Sequence, residues 1–117
     1  FIAKSRDYLR RLDVEDHEIH ISLPHNWGGT IFAKSSGPVE MCPLLVSTPG
    51  VYIDGRVTAC GCIDANGALG IGNILDGGIV KLRKGHRYQK MLAAFESGDV
   101  SKLPLCRDCE IPRRRAA

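Results

Sequence analysis

The chain has no apolar run approaching the ~20 residues that a membrane-spanning helix needs, and no signal-peptide pattern opens it. It has little excess charge: the formal net charge is +3. That small surplus gathers in residues 81–90 and in Arg113, Arg114 and Arg115. A surplus this mild reads as a solvated surface, so neither nucleic acid nor a membrane is an expected partner. Internal repeats and low-complexity tracts are missing as well. The glycines Gly67, Gly70 and Gly72 stand in the order G-x-x-G-x-G, which is not the dinucleotide fingerprint, and no P-loop lysine follows them. Their reading is that they let the chain pass close to another group. No nucleophile–base arrangement and no paired acids stand out, which leaves no catalytic residue to assign.

What the chain does have is cysteine. There are five in 117 residues, an odd number in a chain without an export signal. In a reducing cytoplasm, the expected compartment, that pattern points to metal rather than to disulfides. Four of them, Cys42, Cys60, Cys106 and Cys109, fall as C-x17-C and, 45 residues later, C-x2-C. Thiolates bind soft metals, and two such pairs brought together supply four ligands for a tetrahedral zinc or an iron–sulfur cluster. Asp54-Gly55 between the first two is a strong hairpin signal, so chain reversal should bring Cys42 and Cys60 together by local means. A thioredoxin-like redox pair at Cys106 and Cys109 is disfavoured, because Pro104 precedes it and Pro112 follows. Spacing alone leaves cluster and zinc both open. Cys62 reads as packed beside the site, since four ligands already complete it. The histidines His17, His20, His25 and His86 are scattered and are not assigned as ligands.

The length bounds the chain to a single modest core, and 44% hydrophobic with 25% charged residues is ordinary globular composition. Phe1 stands where Met is expected, so the chain is expected to be a piece of a longer protein. Residues 3–12 pattern as a short amphipathic helix and residues 18–23 as an alternating strand stopped by Pro24. The polar stretch 34–38 reads as a linker, dividing 1–38 from 39–117. Val51-Tyr52-Ile53 and Arg56-Val57-Thr58-Ala59 form the two arms of the hairpin. Residues 69–75 contribute a short strand or extended turn within a glycine-rich stretch, 61–78, that can form little helix. The best helix runs over residues 86–96, with Tyr88, Leu92 and Phe95 on one face, Met91 beside them, and Gly98 in the capping position. The expected fold class is therefore α+β: a small hairpin-based domain with a packed helix and a four-cysteine metal site. Leu92 and Phe95 should be buried.

These residues resemble a known family. Cys42-x12-Gly55-x4-Cys60 is similar to the opening motif of the SPASM and twitch auxiliary-cluster domains of radical S-adenosylmethionine enzymes. Leu69-Gly70-Ile71-Gly72-Asn73-Ile74, the helix to Phe95, Gly98 and Pro104-Leu105-Cys106-x2-Cys109 come next, in the family's order. The segment His25-Asn26-Trp27-Gly28-Gly29 is similar to the linker by which such enzymes leave their barrel. The resemblance covers residues 18–109. It implies an auxiliary 4Fe–4S cluster held by Cys42, Cys60, Cys106 and Cys109, with zinc able to replace it in an aerobic fragment. It implies as partners an N-terminal radical S-adenosylmethionine barrel in the same parent chain and that enzyme's peptide or small-molecule substrate. Residues 1–38 would be the end of that barrel and the linker, and 39–117 the cluster domain, supporting electron transfer or substrate positioning. Two departures matter. Full SPASM domains carry seven cysteines for two clusters, whereas residues 110–117 hold none, which suits the shorter one-cluster twitch type or a curtailed SPASM domain. The C-x3-C-x2-C motif that binds the catalytic cluster is also missing, so this chain alone should not cleave S-adenosylmethionine. A zinc-stabilised interaction module without a redox role is the alternative.

Overall fold

In the computed structural model the described residues are 11, 26–29, 31 and 34–113. The helix expected over residues 3–12 (apart from Arg11), the strand expected over 18–23, and His17, His20 and His25 lie outside them. After Cys42 the chain forms a short helix α1 (Pro43–Ser47), with proline at its first position, where the missing N–H costs nothing. Strands β1 (Gly50–Val51), β2 (Arg56–Thr58) and β3 (Gly70–Asn73) come next, and then helices α2 (Gly78–Lys84) and α3 (His86–Glu96). The three strands form one antiparallel sheet in the order β1-β2-β3, with Val51 opposite Val57 and Val57 opposite Gly72. A small α+β domain is therefore what the sequence folds into.

The hairpin is where the sequence placed it, but its turn differs in detail. The Tyr52 N–H donates to the Arg56 carbonyl and the Gly55 N–H to the Tyr52 carbonyl, both at 2.9 Å. Ile53, Asp54 and Gly55 thus form a three-residue loop, and Asp54-Gly55 are its last two members rather than a two-residue turn. Gly55, at φ 82°, takes the left-handed position that closes such a loop.

Helix α3 has the bounds read from the sequence, and the Gly98 N–H caps it on the Phe95 carbonyl at 3.1 Å. Its buried stripe is Tyr88, Met91 and Phe95. Leu92, expected inside, is only half-buried, because the i, i+3, i+7 row faces the sheet and position 92 falls on the rim of that stripe. Helix α2 was not expected. It opens on consecutive glycines, Gly77 and Gly78, the poorest helix formers after proline. It holds because Leu82 is buried in the common core and packs onto β3.

The core fixes the cysteine-bearing segments in place. Val57, Ala59, Leu69 and Ile71 come from the sheet region and meet Leu82, Tyr88, Met91 and Phe95 from the helices. The buried Tyr88 hydroxyl donates to the Leu45 carbonyl at 3.0 Å. Arg83 donates to the Tyr88 oxygen at 2.8 Å and to the Val46 carbonyl at 2.6 Å. Helices α2 and α3 therefore hold α1, and with it Cys42, at a fixed place.

Candidate metal centre

Each cysteine arrives on a different local device. Cys42 is the residue before α1, extended at φ −74° and ψ 119°, so the first amides of the helix turn back towards it. Cys60 follows β2, where the Ala59 N–H bonds the Leu69 carbonyl at 3.0 Å and the Gly61 N–H bonds the Thr48 carbonyl at 2.7 Å. That second bond ties the chain after Cys60 to the end of α1. Cys106 and Cys109 bracket a single 3-10 turn, Cys106–Asp108, closed by the Cys109 N–H on the Cys106 carbonyl at 3.2 Å. Leu105 enters this turn at φ 68°, a costly conformation for a bulky residue.

All four side chains line one small cavity, whose remaining walls are Leu44, Leu45, Ile63, Phe95, Ile111 and Pro112. All four are buried, and no disulfide joins any of the five cysteines. They do not form a ready single-ion site: among the described residues, no group of three or more His, Cys, Asp or Glu is arranged to hold a metal ion. Cys62 is half-buried, packs against the core and does not line the cavity.

The electrostatics of the site stem from this burial. Burial pushes the Cys42 thiol up, and the N–H groups of Leu45 and Leu44, bonded to its sulfur, pull against that rise. Cys109 is likewise raised by burial and opposed by the N–H groups of Ile111 and Gly28. Cys106 is pushed up to about 12, first by burial and then by its neighbours Cys42, Cys109 and Cys60 and the carboxylate of Asp64. In the metal-free protein Cys106 thus keeps its proton where the unfolded chain, with an ordinary value of 9.0, has lost it. The unfolded state then binds fewer protons, so stability should fall as pH rises from about 9 towards 12. Urea midpoints of the metal-free protein should drop through this window, and less steeply in Cys106→Ala. Midpoints that stay level through about pH 11 would contradict the burial of this thiol.

Two organising residues escaped the sequence reading. Asp64 is only 4% exposed. Its Oδ2 accepts from Thr58 Oγ1 at 2.5 Å and from the Leu69 N–H at 2.8 Å, and its Oδ1 accepts from the Ala68 N–H at 2.8 Å. The Tyr52 hydroxyl donates to its carbonyl. One carboxylate thereby joins β2 to the loop before β3, close to Cys106. The signal was an aspartate four and five residues before the amides it accepts, within a run of turn formers. Asn26, 2% exposed, is the second. It packs against the C-x2-C turn, and the long-range pairing behind that contact leaves no local signature.

Among known proteins, the family model of the SPASM iron–sulfur cluster-binding domain matches residues 42–110, opening on the first of the four cysteines and ending just past the last. No curated protein and no solved structure matches the chain. A match over more than half of the chain, spanning all four cysteines, the hairpin and helix α3, places this protein in the SPASM iron–sulfur cluster-binding domain family.

Proposed function

We propose that this chain is the auxiliary-cluster domain of a radical S-adenosylmethionine enzyme, and that Cys42, Cys60, Cys106 and Cys109 hold a 4Fe–4S cluster. The observation that carries this reading is the convergence of these four buried thiols on one cavity inside the region matched to an iron–sulfur family. The donor set fits: four thiolates supply one ligand to each of four irons and leave none open. When bound, such a cluster supplies one-electron transfer. The chain's own residues set the conditions for it. Leu44, Leu45, Ile63, Phe95, Ile111 and Pro112 exclude water from the cavity. The amides of Leu44 and Leu45 at Cys42, and of Gly28 and Ile111 at Cys109, stabilise negative charge on sulfur and so favour the reduced state. Asp64, whose charge opposes ionisation at Cys106, works in the other direction. Residues 1–38 then belong to the approach from the preceding barrel, and 39–117 to the cluster domain.

An auxiliary role predicts a split between two activities of the full parent enzyme. Cys106→Ala or Cys109→Ala should impair turnover of its peptide or small-molecule substrate more than cleavage of S-adenosylmethionine. Cleavage needs the cluster of the barrel, whereas an auxiliary site acts on the substrate side. Equal loss of both activities would show that the domain mainly holds the enzyme together. Unchanged turnover in a variant verified to lack the auxiliary iron would remove the functional role.

A further inference from the structure

We infer that the metal site is completed from outside the family-matched region: Asn26 is a positioning residue for Cys109, and the neighbouring Gly28 amide tunes the Cys109 sulfur. The inference rests on the proposed cluster ligation and deepens it.

The Asn26 side chain spans the two peptide groups on either side of Cys109. Its Nδ2 donates to the Asp108 carbonyl at 2.7 Å, and its Oδ1 accepts from the Glu110 N–H at 3.1 Å. One donor and one acceptor on a planar carboxamide match a carbonyl and an N–H flanking a single residue, much as a partner strand would. Nδ2 also reaches Ser35 Oγ at 3.3 Å, and the Asn26 N–H donates to Glu110 Oε1 at 3.1 Å. The contacts to Asp108 and Glu110 join positions 82 to 84 residues apart. They fix the backbone that aims Cys109.

The next three residues bring an amide to the sulfur. Trp27, Gly28 and Gly29 all have positive φ, of 47°, 65° and 81°. For Trp27 this conformation costs energy that the surrounding contacts must offset. It lets the segment seat directly on the cysteine turn. A Cβ at Gly29 would stand 2.8 Å from the Asp108 Cβ, and one at Gly28 would stand 3.1 Å from the Leu105 carbonyl oxygen. In that seat, against Leu105 and Asp108 on the turn that carries Cys109, the Gly28 amide is close enough to the Cys109 thiol to oppose the rise that burial imposes on it. An N–H directed at a ligating thiolate stabilises the reduced, more negative cluster and raises its potential. Segment 26–29 therefore backs the cysteine turn from outside the cavity, and any displacement of it would alter both the aim and the electronics of Cys109.

The test compares the iron- and sulfide-reconstituted full chain with Asn26→Asp and Asn26→Ala. Asn26→Asp is isosteric, loses the Nδ2 donor and sets a carboxylate oxygen against the Asp108 carbonyl. It carries the test even if Asn26→Ala does not fold. The expected result is a more negative reduction potential and release of iron to a chelator about 10-fold faster or more. The metal-free Asn26→Asp variant should stay folded, with a thermal midpoint below that of the wild type because a buried donor is lost. Faster iron loss with an unmoved potential would reduce Asn26 to a structural role and overturn the tuning. Unchanged potential and unchanged release would overturn the inference alone, with the ligand assignment standing. A wild-type chain that takes up no iron and sulfide would overturn the cluster reading, and this inference with it.

Discussion

Replacing any one of Cys42, Cys60, Cys106 or Cys109 with alanine should leave the anaerobically reconstituted chain with roughly a tenth or less of its wild-type iron after exchange against a chelator. Each substitution removes one of four thiolates from a cavity whose other walls are apolar, so no neighbouring oxygen or nitrogen ligand stands ready to replace it. Cys62→Ala should retain the wild-type iron content, because Cys62 packs outside that cavity. Iron and acid-labile sulfide measured on the five variants check the assignment. Equal loss in Cys62→Ala would make Cys62 a ligand. Full retention in one of the four would exclude that residue from the ligand set. Metal binding and local folding are coupled where ligands come from separate loops, so the variants should also lose order around the C-x2-C turn.

The second large effect is at Phe95. It is 3% exposed, lies at the end of the α3 stripe and forms a wall of the cysteine cavity. Phe95→Ala should destabilise the domain by about 3–5 kcal/mol, the lost burial of the ring plus the void it leaves. Total stabilities are only about 5–15 kcal/mol, so this one change removes a large share of the folding free energy. Leu92→Ala, on the rim of the stripe, should cost about 1 kcal/mol. Denaturant unfolding of the two variants under metal-free conditions checks the ranking. Comparable losses at both positions would show that the stripe is centred elsewhere than on Tyr88, Met91 and Phe95.

The contrast between these two positions shows what was legible. Helix α3 could be read to its last residue because apolar periodicity and Gly98 after it agree locally. The hairpin was legible for the same reason, since Asp54-Gly55 is a short-range signal. The loop length was not, because it depends on the register of β1 against β2. Leu92 and Met91 are neighbours on the helix surface, and which of them faces inward depends on where the sheet lies. Helix α2 was hidden by Gly77 and Gly78, whose low propensity is overridden by the burial of Leu82. At the candidate site, the four cysteines were visible as residue types at informative spacings. Asn26 and Asp64 were not. A polar residue in a turn-rich stretch gives no hint that it will be buried, least of all, as at Asn26, by a partner 82 residues away.

The most direct measurement is the metal and sulfide content of the anaerobically reconstituted wild-type chain, taken with its absorption spectrum and the electron paramagnetic resonance of the reduced sample. A SPASM-type auxiliary site on Cys42, Cys60, Cys106 and Cys109 predicts roughly four irons and four sulfides per chain, with broad absorption near ~400 nm and a signal that appears on one-electron reduction. About one zinc per chain, with no sulfide and no reducible centre even after anaerobic loading with excess iron and sulfide, would contradict it and make the four thiolates a structural zinc site.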